Sequence, residues 1–354
     1  MTTICGLPSL AVEENMRQVM PADSDLETLA PAFARAAWST LVEPGDRVAG
    51  QLIALCGPER ALQFLIDRFR ADEIVKECVA LNEGEFDAGV FEEDLAEAIF
   101  RWQPRLSSGD ALNAVTHAAG LGALLLTPEQ EQWPRGLSDL GLHAPLVLWA
   151  RGQREVLGAF ENSLAVVGAR ASTGYGEHVT METVSTIAQQ GVAIVSGAAY
   201  GIDGMAHRSA LAVGGTTMAF LAGGVDRFYP SGHDALLGRI METGLVLAET
   251  PCGYAPTKWR FLLRNRLIAA SSQATVVMEA GWRSGSLNTA NHASTLGRPL
   301  GVVPGPVTSA ASAGCHRLLR EYDAVCVTNA AEMLELLPGQ GPALSESEQE
   351  LVGR

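Results

Sequence analysis

The sequence predicts an α/β fold, a doubly wound and mostly parallel sheet, preceded by a small all-α domain. Three observations predict it. From about residue 161, short apolar runs rich in β-branched residues alternate with helical patterns, the order that builds a parallel sheet. Residues 164–176, Leu-Ala-Val-Val-Gly-Ala-Arg-Ala-Ser-Thr-Gly-Tyr-Gly, read as a strand ending at Gly168, a tight polar turn and the start of a helix, which is the first unit of such a sheet. Residues 1–105, by contrast, repeat their apolar residues at a period near 3.6.

In chain order, helical patterns are expected at Leu26 to Leu41, Val48 to Cys56, Pro58 to Phe69 and Phe91 to Trp102, broken by Glu43-Pro-Gly and Cys56-Gly-Pro. Glu83 to Glu97 carries seven acids and no base, the composition of a solvated helix face or loop. Residues 106–160 form a bridge that contributes to the α/β layer, with strands at Ala123 to Leu126 and Leu146 to Ala150 set off by Trp133-Pro134 and Ala144-Pro145. Residues 161–337 form the α/β domain, with strands at Ala165 to Val167, Ala193 to Val195, Thr216 to Leu221, Leu245 to Ala248, Ala274 to Met278, Leu300 to Val303 and Ala324 to Val327. Residues 338–354 are small and acidic, and read as a flexible tail.

Composition narrows the function. The net charge is −15, yet residues 164–320 hold 12 Arg and Lys against 8 Asp and Glu, a net of +4, which leaves −19 for the remainder. The acidity therefore belongs to the flanks. Within the positive core, Lys258-Trp-Arg-Phe-Leu-Leu-Arg-Asn-Arg266 gathers four cations with no acid, and a cationic groove on an acidic protein binds polyanions with strong salt dependence. Only two lysines occur, Lys76 and Lys258, and neither follows G-x-x-x-x-G, so a Walker ATPase is excluded. Gly168, Gly174 and Gly176 do not fit G-x-G-x-x-G, and the second strand closes on Ser196-Gly197 in place of the acid that would hold a ribose, so a dinucleotide reading fails. Six scattered cysteines with no C-x-x-C pair argue against a disulfide framework and a zinc site. No apolar run approaches the ~18 residues of a membrane span, and Met1 to Leu10 lacks the basic start of a secretory signal. The expectation is a cytoplasmic protein with no cofactor, no metal and no membrane partner.

The candidate site follows from the strand-end turns. Such turns share one edge of a parallel sheet and aim N–H groups at it, so Gly168, Ser196, Gly197 and the Ser284-Gly285-Ser286 helix opening are candidate phosphate contacts. Arg170 adds a planar guanidinium for phosphate, or alternatively braces the turn. Lys258 and Phe261 lie one helical turn apart and could pair a phosphate contact with a stacking ring, although Phe261 equally suits a core. Arg264 and Arg266 are two apart, so one is expected to face the groove and the other to make structural bonds. Asn265 either touches phosphate or ties down a loop, and Arg227 either contacts the ligand or is solvated. Asp203 reads as the N-cap of the helix after Gly201, and His207 as a packed helix residue, since no nucleophile or metal cluster accompanies it.

These segments carry a family resemblance. Gly168-x-Arg170 with Tyr175-Gly176, Val195-Ser-Gly-Ala-Ala-Tyr-Gly-Ile-Asp-Gly-Met-Ala-His207, Gly223 to Pro230 with Asp226, Phe261-Leu-Leu-Arg-Asn-Arg-Leu-Ile-Ala269, Glu279-Ala-Gly-Trp-Arg-Ser-Gly-Ser-Leu287 and Val303-Pro-Gly305 resemble the DprA/Smf family of DNA-processing proteins. The resemblance spans about Trp133 to Leu337, and the N-terminal helices loosely resemble a SAM-like or helix-hairpin-helix domain. It implies an extended Rossmann-like domain that binds single-stranded DNA without sequence preference, protects it and loads RecA recombinase during natural transformation, as a homodimer and without catalysis. Two departures stand out. His316 replaces the asparagine of the family's S-x-G-x-N-x-L in Ser312-Ala-Gly-Cys-His-Arg-Leu318, and the C-terminal winged helix that many members carry is either absent or cut off, the sequence stopping at Arg354. Two other functions fit the same core. A nucleoside-monophosphate phosphoribohydrolase of the lysine-decarboxylase-like group would need an acid soon after the glycines, where this chain has Leu-Asn-Thr-Ala. A sensor for one small nucleotide would use the same phosphate turns.

Overall fold

The structure, a computed structural model, describes residues 3–21, 24–82 and 86–339. Residues 83–85 of the acid-rich run and residues 340–354 of the acidic tail lie outside the described residues. The chain divides into two compact units, Met1–Gly158 with Ala219–Leu267, and Ala159–Met218 with Ile268–Arg354. The N-terminal helices and the bridge thus group with a stretch some distance along the sequence, a division no linear boundary expresses.

The first unit opens with a hairpin, β1 (Thr3–Ile4) and β2 (Leu7–Pro8), and seven helices: α1 (Ser9–Met16), α2 (Leu26–Leu41), α3 (Arg47–Cys56), α4 (Pro58–Ile66), α5 (Ala71–Asn82), α6 (Ala88–Trp102) and α7 (Ser108–Gly120). Helix α2 starts where Asp25 accepts the Thr28 N–H at 2.9 Å. It buries Leu29, Phe33, Ala37, Trp38 and Leu41, an i, i+4 stripe. Trp38 meets Trp102 of α6 edge to face at 5.2 Å, and its indole N–H reaches Pro58 O at 3.1 Å. Asp46 caps α3 and also accepts from the Trp102 indole at 3.3 Å, which ties α3 to α6. On α6, Glu92, Glu93 and Glu97 are exposed and Asp94 pairs with Arg47, the solvated face expected for that run. Helix α7 lies in the bridge ahead of its strands, in a stretch for which the sequence reading named no element. Its Ala- and Gly-rich pattern has little polar contrast, and the Ser107 hydroxyl that starts it, accepting from Asp110 N–H at 3.2 Å, is a weak signal in sequence.

Nine strands, most of them parallel, make the α/β part. The first unit holds β3 (Leu124–Leu126), β4 (Leu148–Gly152), most of β7 (Thr217–Leu221) and β8 (Leu245–Ala248), with α10 (Asp234–Thr243) between the last two. Strand β4 runs antiparallel to both β3 and β8, with Trp149 opposite Leu125 and Ala248. The second unit is parallel throughout, in the order β11-β10-β9-β5-β6. Its elements are β5 (Ser163–Gly168), α8 (Gly174–Gln189), β6 (Ala193–Ser196), α9 (Ile202–Ala212), β9 (Ala274–Glu279), α12 (Ser286–Thr295), β10 (Leu300–Val302), α13 (Ala313–Glu321), β11 (Val325–Cys326) and α14 (Ala330–Leu334). Helix α11 (Lys258–Ser271) leads into β9. Leu164, Val166, Ile194, Val276 and Met278 of the strands pack with Val184, Ile187 and Ala206 of the helices into one core. The chain leaves β5 toward β6 and leaves β9 toward β10, so the strand order reverses between β5 and β9. That is the switch point at which open α/β sheets bind ligands.

Candidate functional site

The switch point is already occupied by the protein's own carboxylate. Glu279, the last residue of β9, is 2% exposed. Its Oε2 accepts the Thr173 N–H at 2.8 Å and its Oε1 the Thr173 hydroxyl at 2.7 Å, at the amino end of the 16-residue α8. A negative group here is favoured by the helix dipole and by N–H groups with no helical partner. Gly168 is a glycine for packing: a Cβ would lie 2.6 Å from Ile202 Cγ1 and 2.9 Å from Glu279 O. Gly201 adopts φ +75°, and a Cβ there would run into the Ala169 carbonyl. Arg170, in the turn, is exposed. Replacing Glu279 with alanine is expected to lower the thermal midpoint and to make it rise with inorganic phosphate, which would fill the vacated seat, whereas the parent shows no such dependence. An alanine variant indifferent to phosphate would mean that the seat accepts only a tethered carboxylate.

The second strand-end turn departs from expectation. The Ser196 hydroxyl is buried and donates to Val166 O at 2.6 Å, and the Gly197 N–H donates to Asp203 Oδ2 at 3.2 Å. Both candidate phosphate contacts therefore have partners within the unit. Asp203 is not the N-cap of α9, a position held by Gly201. It sits in the first turn and takes up an amide of the preceding loop. His207 is fully buried with Nδ1 2.7 Å from Thr217 Oγ1. Since that hydroxyl donates to Ile194 O at 2.8 Å, it accepts from His207, the packed role read from sequence.

At the head of α12, Ser284 Oγ lies 2.7 Å from Ser286 Oγ, and Ser286 is buried, while Gly285 is exposed. Beside this turn Trp282 is 58% exposed, and the Arg317 guanidinium lies 5.3 Å from its ring centroid. His316 makes a local tie, its Nε2 donating to Gly305 O at 2.9 Å, and so anchors the Val303-Pro-Gly305 turn.

In the first unit, α11 sorts the basic cluster into surface and interior. Lys258 and Trp259 at its amino end are exposed, Trp259 by 74%. Phe261 is half-buried and packs against Tyr229 with ring centroids 5.2 Å apart and planes tilted by 57°, and Tyr229 itself is 46% exposed. Arg227 is exposed beside Asp226, with Nε 3.7 Å from Oδ2. The other three cations turn inward. Arg260 pairs with Glu43, its Nε 2.9 Å from Oε2. Arg264 is 5% exposed and donates to Phe220 O and, at 3.3 Å, to Asn265 Oδ1, which gives Asn265 a structural contact. Arg266 is 4% exposed, donates to His143 O at 3.0 Å and pairs with Glu249 at 2.8 Å. The expectation that one of Arg264 and Arg266 faces a groove is corrected, because both side chains are buried and both guanidiniums find acceptors within the unit. Trp259, Tyr229 and Trp282 were not among the candidate contacts, although two of them stand beside a basic residue in Lys258-Trp259 and Trp282-Arg283.

Glu43 makes the first unit acid-sensitive. Burial works against its charged form, but hydrogen bonds and charges from Arg260 and Arg105 outweigh it and hold the carboxyl below its ordinary range. A group with a depressed folded pKa stabilises above its unfolded pKa of about 4.3, and the contribution is lost as pH falls through the folded value. Glu43→Gln is therefore expected to unfold at a lower temperature than the parent at neutral pH, with the gap closing as pH falls through the folded value. Parallel midpoint curves across that range would remove Glu43 as a contributor. Among the described residues no group of three or more His, Cys, Asp and Glu gathers to hold a metal ion, and no described helix is long and apolar enough to cross a membrane.

Residues 124–338 match the family model of DNA recombination-mediator protein A. A chain from Mycobacterium tuberculosis that carries the name DNA processing protein DprA is 50% identical over 226 residues, which are 61% of this chain and 58% of that one. This chain thus spans less than two thirds of that relative's length. The X-ray structure of DprA from Streptococcus pneumoniae is similar with a TM-score of 0.64 and 28% identity, covering 86% of this chain and 96% of that one. A DNA processing protein A from Helicobacter pylori, whose structure concerns its single-stranded DNA binding mode, is similar with a TM-score of 0.53 and 28% identity over 59% of this chain and 93% of that one.

Proposed function

The chain belongs to the DNA recombination-mediator protein A family, DprA/Smf, and from that premise we propose that it binds single-stranded DNA without sequence preference, protects it and passes it to RecA recombinase. The observation that carries this reading is the group at the head of α11: exposed Lys258 and Trp259 with the tilted Tyr229–Phe261 pair. Exposed aromatic faces next to cations suit a polymer of unstacked bases and phosphates, since each base offers a π-face and each phosphate a charge. Arg227 supplies a further phosphate contact in the first unit, and the second unit offers its own at Arg170 and the turn from Ser284 to Ser286. Binding releases counterions, so affinity falls steeply with salt despite the net charge of −15.

The H. pylori relative's single-stranded DNA supports the same ligand here. Action as a homodimer in the cytoplasm, without catalysis, belongs to this reading. The single-nucleotide sensor is disfavoured, because Glu279 sits where a lone phosphate would sit. The hydrolase lacks its acid after the glycines.

The test is fluorescence anisotropy of a labelled oligothymidylate and its duplex counterpart over a salt titration. Preference for the single strand with a steep log–log slope supports the proposal. Absence of binding at low salt, or tight binding of one mononucleotide that salt does not weaken, would overturn it.

A further inference from the structure

Two of the six cysteines stand together. Cys56, the last residue of α3, and Cys78 of α5 place their sulfurs 3.0 Å apart, so closing by about 1 Å would join them. The approach is held from outside the pair, because the Asn82 amide donates to Leu55 O at 3.0 Å and to Cys78 O at 2.9 Å and so clips the end of α3 to α5. Cys78 is buried, and Cys56 is partly open to solvent. The ion pair of Arg60 with Glu77, at 2.6 Å, flanks them. We propose that Cys56 and Cys78 form a reversible dithiol–disulfide site oxidised by hydroperoxides, with Cys56 as the attacking thiol and Cys78 as the resolving one.

The local chemistry assigns those roles. Cys78 hydrogen-bonds to the Cys56 sulfur, which favours the Cys56 thiolate and, aided by Arg60, outweighs burial and Glu77 to pull that thiol down. The same hydrogen bond, with burial, pushes Cys78 up. The other described thiols differ. Burial pushes Cys5 and Cys252 up to about 12 and Cys315 to about 11, which leaves them as thiols, while Cys326 is exposed. In the first step the Cys56 thiolate attacks a peroxide oxygen. The S–O bond forms, the O–O bond breaks, and the departing hydroxide takes a proton to become water. Cys78 sulfur then attacks the sulfenic sulfur, the S–S bond forms, and the second hydroxide leaves with the Cys78 proton as water. One hydrogen peroxide is reduced by two electrons for each disulfide formed, and a dithiol reductant reverses it.

The experiment treats the full chain carrying Cys326→Ser with one equivalent of hydrogen peroxide. The expected result is loss of two titratable thiols, a Cys56–Cys78 crosslinked peptide in a non-reducing digest, and a thermal midpoint raised by roughly 5–10 °C that returns on reduction. Cys56→Ser in the same background should give no crosslink and no shift, and because Cys56 is only partly buried this variant tests the site without emptying the core. Sulfenic or sulfinic acid stable on Cys56 with no crosslink, or oxidation of the parent at Cys326 ahead of Cys56, would overturn the proposal.

Discussion

Trp259→Ala is expected to weaken binding of a labelled oligothymidylate by roughly 5- to 150-fold at fixed salt, the range of about 1 to 3 kcal/mol for a single base–aromatic stack. The side chain is 74% exposed, so its loss leaves no cavity and should leave the thermal midpoint where it was. Lys258→Ala, one residue away, should act differently. It removes one phosphate contact, weakens binding more at low salt than at high salt, and lowers the log–log salt slope by about 0.7. Phe261→Ala should lose both stability and affinity, because the ring also packs on Tyr229 at 5.2 Å. The decisive comparison is Trp259→Ala against the parent in one anisotropy titration. Equal affinities would remove the head of α11 from the binding surface and leave Arg227 and the turns of the second unit as the remaining candidates.

The second large effect concerns stability. Arg266→Met is expected to destabilise the protein by about 3 to 5 kcal/mol, since it leaves Glu249, itself 7% exposed, as a buried charge without its partner. It also removes the donors to His143 O and Leu263 O. For a unit of this size, that corresponds to a fall of roughly 10 to 15 °C in thermal midpoint. Adding Glu249→Gln to the same chain should recover part of the loss, because a neutral amide costs less to bury than an unpaired carboxylate. Single-strand affinity measured well below the midpoint should be unchanged. A variant with the parent's midpoint and no DNA binding would instead place Arg266 at the ligand.

How much of this was legible in the sequence depends on the range of the interaction involved. The strands at Leu245 to Ala248 and Ala193 to Val195, and the helix at Leu26 to Leu41, were readable because the apolar period of each is a local property, and the structure has them within a residue. The turn after Gly168 was readable as an anion seat for the same reason, since a strand, a polar turn and a helix start are contiguous. Its occupant was not. The carboxylate that fills it lies 106 residues further on, at Glu279, and only the pairing of β5 with β9 brings the two together. Helix α7 was missed because its stripe has little contrast.

The basic cluster shows the same division most plainly. By itself the sequence determined the α/β class, the order of the elements, membership in a DNA-processing family, and the concentration of positive charge between residues 164 and 320. It also determined that four cations fall within nine residues. Which of them faces water was decided by the tertiary structure, because Arg260 meets a glutamate 217 residues away and Arg266 meets a carbonyl 123 residues away and the carboxylate of Glu249. A charge is buried only where a partner compensates its desolvation. That partner comes from whichever segment the fold lays alongside, so no spacing along α11 could separate Lys258 from the three arginines that follow it.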